Sequence, residues 1–275
     1  MGNSESLLND YLLHKKSRTQ KHASYPARFP VPGDKVKWNQ IFAGYHPVEY
    51  NAPIVLDANT PWADPQDITK ITHPLISFEG TVKLNVKGLP INPFGRTGLT
   101  GRGVIGKWGA NFAVDAIITT LHPETHLFRV LTITRRDTGE TAFPGGMVDP
   151  GENVMQARNR ELNEEISLCI TDIENPLYEK IVLEGYVDDP RNTDNAWMET
   201  TAIHTHIDYS IAQNMILSAG DDAVGFKWLD VTAEAIGNFY ANHGLSLLRA
   251  LNELVKDNNR SFIDNNARKL FQEIV

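Results

Sequence analysis

Cysteine is nearly absent from this sequence: Cys169 is the only one in 275 residues. A lone thiol can neither close an intrachain disulfide nor build a thiolate-ligated zinc site, and a reducing compartment fits best. Long apolar runs are also missing, and nothing approaches the roughly 20 residues of a membrane-spanning helix. Positive charge is in short supply, with 26 Lys and Arg against 34 Asp and Glu for a net −8. Such a chain has no general field to attract nucleic acid or anionic lipid, so neither partner nor direct membrane insertion is expected. An anionic ligand would need a local device. The N-terminus shows neither the apolar stretch of a secretory signal nor an Arg-rich, acid-poor transit peptide, since Glu5 and Asp10 interrupt it. That pattern is expected of a cytoplasmic chain more than of a mitochondrial one. Gly2 with Ser6 matches the myristoylation pattern, which is too short to assign a lipid. Repeats and low-complexity segments are lacking as well.

What is present has the balance of a globular protein, 41% hydrophobic and 22% charged, at a length that suits two domains. Residues 1–112 are rich in Pro, Gly, Asn and Asp and predict a loop-rich N-terminal cap domain. Within them Gly95, Gly98, Gly101 and Gly103 fall in nine positions. The favoured reading is a connector with tight turns, because a phosphate-cradling loop needs a strand before it and a helix after it. From Ala113 to Val275 short β-branched runs alternate with helical patterns. Strands are predicted over 113–121, 127–134, 180–187, 197–207 and 225–231, and helices over 153–168, 245–256 and 261–274. The class is mixed α/β (α+β).

One segment carries chemistry. The turn-forming loop from Gly146 to Glu152 leads into a helix where Glu161, Glu164 and Glu165 stand at i, i+3 and i+4, on one face. Like charges at that spacing cost an isolated helix roughly 0.2–0.5 kcal/mol per pair, which a divalent cation would offset. Three glutamates alone are more often a solvated helix face. The wider spacing argues otherwise. Gly146, five residues, Glu152, seven residues, then Arg160-Glu161-Leu162, one residue and Glu164-Glu165 would coincide by chance on the order of 10⁻⁷ per window.

This pattern resembles the Nudix box, with Ser167 where that family usually has glycine, a departure that puts the end of the helix in question. The resemblance implies a Nudix fold, a mixed sheet sandwiched between helices. It implies that Glu161, Glu164, Glu165 and the Gly146 carbonyl hold Mg²⁺, with Mn²⁺ as a substitute, and that Glu152 and Arg160 pair to brace the loop. The metal would assist hydrolysis of a pyrophosphate. The base that deprotonates water stays open between Glu161 and an acid outside the box, such as Asp221 or Asp222.

The box does not say what the pyrophosphate joins. The run from Gly185 to Thr200, with residues 92–103 and 144–152, resembles the ADP-ribose pyrophosphatase type of Nudix hydrolase. The segments Tyr25–Pro32 and Tyr240–His243 are similar to the C-terminal Nudix domain of ADP-ribose-gated melastatin-type TRP channels. These resemblances imply hydrolysis of ADP-ribose to AMP and ribose 5-phosphate, by the cytosolic ligand domain of a channel polypeptide that has kept its activity. Asp189 and Arg191 would contact ribose and phosphates, and Tyr240, Asn242 and His243 would line the cleft. Phe143 is a candidate for stacking on adenine and equally for core packing. An ADP-ribose sensor with little turnover and a hydrolase of another dinucleotide remain as alternatives.

Overall fold

The computed structural model describes residues 14–136, 138–168, 173, 175–215 and 223–274. Gly2, Cys169, Asp221 and Asp222 lie outside the described residues. The chain divides into two compact units, one of Met1–Phe112 with Gly185–Glu199 and one of Ala113–Glu184 with Thr200–Val275. The run 185–199, which sequence reading places after the cut at 112, therefore packs with the first unit.

That unit is loop-rich, as expected. Its sheet is two parallel strands, β1 (Val48–Asn51) and β2 (Leu99–Gly103), with Val48 opposite Leu99. The glycine-rich run is thus part strand, which corrects its reading as a connector. Close approach explains the glycines: Gly98 has φ +85°, and a Cβ there would come within 3.1 Å of the Phe29 backbone nitrogen. With few ladder hydrogen bonds available, arginines hold the loops by their carbonyls. Arg96 donates to Lys35 O and Lys37 O, both at 2.7 Å, and lies over the Trp38 ring. Arg28 donates to Asn192 O at 2.9 Å and to Pro190 O. Glu199, wholly buried, accepts from Phe78 N and Trp197 Nε1, both at 2.7 Å.

The second unit is built on a seven-stranded sheet. Its strands are β3 (Gly109–Leu121), β4 (Phe128–Arg135), β5 (Thr141–Ala142), β6 (Gly145–Met147), β7 (Tyr178–Tyr186), β8 (Ala196–His206) and β9 (Ala223–Asp230). Their order is β5-β4-β3-β8-β7, with β6 also on β3 and β9 also on β4. The main helices are α1 (Val154–Ile166), α2 (His243–Lys256) and α3 (Asn265–Ile274). Strand alternation turns neighbouring residues to opposite faces. On one face Ile117 and Ala202 pack with Leu247 and Leu251 of α2 and Phe271 of α3. On the other, Val114 and Ile203 pack with Ala157 of α1. The expected sheet between helices is therefore present. No helix among the described residues is long and apolar enough to cross a membrane.

Predicted elements differ mainly at their ends. The 261–274 helix starts at Asn265, after Asp264 accepts from Ala267 N at 2.9 Å. Strands β5 and β6 were not expected, because two- and three-residue strands have too short a period to read. The doubt over Ser167 is resolved by its backbone. Ser167 adopts the left-handed conformation at φ 54°, ψ 28°, where its N–H bonds to Asn163 O and the Leu168 N–H to Leu162 O, both at 3.1 Å. Serine thus ends the helix as glycine would, at a steric cost glycine does not bear. Ser167→Gly is expected to raise stability by about 0.5–1 kcal/mol, read from urea denaturation midpoints; a fall would contradict the assigned strain.

Candidate active site

The acidic helix starts cleanly because Asn153 caps it. The Asn153 side chain accepts from Met155 N and Gln156 N, and Gln156 returns a bond to Asn153 N. Ala157, Leu162 and Ile166 are buried, which fixes the rotation of α1 and leaves its glutamates toward the β6 turn.

Arg160 is the hub. It pairs with Glu152 through Nε and Nη2 at 3.1 and 3.0 Å, and donates to Met147 O at 2.8 Å. Its Nη1 reaches Glu161 at 2.7 Å and Glu164 at 3.1 Å. One guanidinium therefore ties the loop to the helix and screens the carboxylates from one another. Glu152 and Arg160, which the resemblance expects to pair, are joined by two hydrogen bonds. The Arg160 hydrogen bonds hold the Glu152 carboxyl below its ordinary range. Burial pushes the Glu161 carboxyl up, against the opposing pull of Arg160.

Gly146 lies against Glu161. A Cβ at Gly146 would fall 2.5 Å from the Glu161 carboxyl carbon and 2.7 Å from Oε2. Glu165 faces the neighbouring residue and accepts from Gly145 N at 2.9 Å. Among the described residues no group of three or more His, Cys, Asp or Glu side chains is gathered to hold a metal ion. Glu161 and Glu164 meet at Arg160, whereas Glu165 is turned to Gly145. The donor set still suits a hard cation: carboxylates from one helical turn, with the missing Gly146 side chain leaving backbone and carboxylate side by side.

Next to this turn lies a group only partly legible in the sequence. In the pairing of β3 with β6, Val114 is opposite Gly146 and Asp115 opposite Gly145. Asp115 accepts from Thr200 Oγ1 at 2.8 Å and lies 3.5 Å from His243 Nε2. His243 Nδ1 accepts from Phe143 N at 2.9 Å, so the ring proton sits on Nε2, facing Asp115. Phe143 is core: it is buried, stacks on His243 at 4.7 Å and packs on Phe239. Tyr240 is also buried, edge-on to His243, with the Arg135 guanidinium 4.3 Å from its ring centre. Asn242 precedes α2, and its Oδ1 is sealed from solvent with no partner among the described residues. Asp115 was missed, although a single acid in the apolar strand Ala113–Leu121 was the available signal.

Asp189 and Arg191 belong to the first unit. Asp189 is buried and takes Arg191 Nε and Nη2 at 2.8 and 2.7 Å, a bidentate pair that orients the guanidinium. The loop is itself anchored, since Tyr25 Oη donates to Arg191 O at 2.6 Å.

A sandwiched sheet with an acidic helix after a glycine turn is the architecture of a Nudix domain, and comparison with known proteins agrees. The family pattern described as NUDIX domain matches residues 111–247, and that described as NUDT9-like, N-terminal domain matches residues 31–109. The chain belongs to the Nudix family, in its NUDT9-like branch. It is 39% identical over 266 residues to the mitochondrial ADP-ribose pyrophosphatase of Rattus norvegicus, covering 84% of this chain and 75% of that one. Putative nudix hydrolase 6 of Caenorhabditis elegans is 41% identical, covering 78% of this chain and 87% of that one. A transient receptor potential cation channel, subfamily M member-like 2 of Nematostella vectensis, is 36% identical over 84% of this chain, which spans only 17% of the channel. Nudix hydrolases generally use divalent metals.

Proposed function

We propose that the chain hydrolyses ADP-ribose at its pyrophosphate, giving AMP and ribose 5-phosphate. The observation that carries this is the Gly146–Glu161 juxtaposition beside Glu164 and Glu165, in a chain 39% identical to an ADP-ribose pyrophosphatase. Glu161, Glu164, Glu165 and the Gly146 carbonyl would hold Mg²⁺, or Mn²⁺ in its place. That ion supplies neutralisation of the pyrophosphate charge. Arg160 keeps the loop and helix in register and has Glu152 as its permanent partner. Arg191, oriented by Asp189, is the first unit's candidate for a phosphate oxygen. The unpartnered Asn242 Oδ1 offers an acceptor to a ligand hydroxyl or amine.

The test is direct. The purified chain is incubated with Mg²⁺ and ADP-ribose, AMP is followed by chromatography, and NADH and diadenosine tetraphosphate are run in parallel. AMP formed from ADP-ribose well ahead of the other two is the expected result. A second reading, a sensor in which occupancy and not turnover transmits a signal as a channel domain, draws on the 36% identity to the channel relative. Tight ADP-ribose binding with no AMP would select it.

Gly146→Ala tests the juxtaposition itself. The added methyl displaces the Glu161 carboxylate, and misplacement of about 1 Å can cost roughly 10²-fold in rate. A loss of that size at unchanged thermal midpoint is expected; full activity would show that Glu161 does not need this approach.

A further inference from the structure

We propose that Asp115 is a positioning residue of the catalytic centre, acting through His243 on the turn that carries Gly146. The inference rests on the metal-assisted reading above. It starts from a carboxylate whose partners are a hydroxyl and an imidazole: Asp115 takes the Thr200 hydroxyl at 2.8 Å and faces His243 Nε2 at 3.5 Å. A carboxylate so enclosed, in the middle of an apolar strand, is costly unless it holds something in place.

What it holds is a ring. The Phe143 N–H donates to His243 Nδ1, which requires that nitrogen to be bare and its proton to be on Nε2. Asp115, 3.5 Å from Nε2, favours that tautomer by placing its negative charge beside the ring proton, much as a carboxylate fixes the tautomer of a metal-ligating imidazole. Phe143 begins the turn Phe143-Pro144-Gly145-Gly146. From there the turn is pinned at three further points: Ala116 N bonds Pro144 O at 2.8 Å, Glu165 takes Gly145 N at 2.9 Å, and Gly146 lies opposite Val114. Losing the first pin frees the turn to shift relative to α1, which moves the Gly146 backbone away from Glu161 and slackens the Glu165 bond.

Outer partners of a metal site typically change affinity or activity 10–100-fold when removed. The test is titration of the substrate-free chain with Mn²⁺, read by electron paramagnetic resonance, alongside kcat and KM for ADP-ribose. Asp115→Asn and His243→Phe are each expected to weaken Mn²⁺ binding roughly tenfold or more and to lower kcat, with KM changed less than twofold. His243→Asn restores an acceptor near the Nδ1 position and should recover part of the Mn²⁺ affinity that His243→Phe loses. Recovery of that kind would not follow from a generally loosened fold. Thr200→Val, which removes one donor to Asp115, serves as a milder variant and should shift Mn²⁺ affinity in the same direction. Mn²⁺ affinity within twofold of the unaltered chain in both folded Asp115→Asn and Thr200→Val would overturn the proposal. Because Mn²⁺ binding is measured without substrate, a chain that binds the ion but leaves ADP-ribose intact would sink the proposed function and leave this inference standing.

Discussion

Glu164→Gln with Glu165→Gln is expected to lower Mg²⁺-dependent turnover of ADP-ribose by at least about a thousandfold, about 4 kcal/mol of transition-state stabilisation. The substitution is chosen so that the fold survives it. Glu165 accepts the Gly145 N–H, and the glutamine amide oxygen can still accept it. Glu164 is largely exposed, and its ion pair with Arg160 at 3.1 Å is of the i,i+4 surface type that contributes little to stability. What disappears is negative charge at two of the three glutamates that would face a cation. Thermal melting within a few degrees of the unaltered chain, together with chromatographic loss of AMP, is the expected pair of results. Undiminished AMP production would remove both residues from the metal site.

Stability of the second unit should fall steeply with acid. His204 and His206 lie side by side in the core, both bonded to the single Thr119 hydroxyl at 2.7 and 2.8 Å. One hydroxyl can accept from one ring and donate to the other, so the ring that takes the hydroxyl proton must keep a bare nitrogen and stay neutral. Burial pulls His206 from 6.5 down to about 3, and takes His204 well below 6.5. In the unfolded chain both protonate near 6.5, so below that pH the unfolded state binds more protons. The stabilising contribution of His206 is complete above about pH 6.5 and is lost progressively as the pH falls toward 3, and that of His204 is likewise lost with acid. His206 costs about 1.4 kcal/mol per pH unit in that window, roughly 2 kcal/mol between pH 5.5 and 4, and burial of His204 acts in the same direction. Against a typical total of 5–15 kcal/mol this is large. Urea unfolding at a series of pH values should show the slope, and His206→Phe, which keeps the stacking on Phe262, should lower it by about 1.4 kcal/mol per pH unit. An unchanged slope in that variant would show that the buried pair is not its source.

Sequence reading reached the Nudix fold and the acidic helix because both are written in local code. The spacing from Gly146 to Glu165 is contiguous, and the apolar period of α1 sets its buried face without reference to anything distant. The substrate assignments from Asp189 to His243 came only from resemblance, and the structure gives them more specific surroundings. Phe143 is core packing, His243 has both ring nitrogens facing partners, and Asp189 orients Arg191. Asp189 and Arg191 are neighbours in one loop, whereas the partners of Phe143 and His243 lie on other elements and leave no local signal.

By itself the sequence determined the class of chemistry: three glutamates on one helical turn after a glycine loop, with no cysteine pair and no positive field to suggest anything else. Only the tertiary structure decided how that helix is seated. Serine could be seen at position 167, but not that its backbone would adopt the left-handed turn. Asp115 could be seen in an apolar strand, but not that pairing of β3 with β6 would set it opposite Gly145. The run 185–199 also needed the fold to place it with the first unit. The reason is the same in each case. Helix spacing and capping act over a few residues and are fixed by the order of the chain, whereas strand register, buried hydrogen bonds and the packing of one segment on another depend on which distant residues meet.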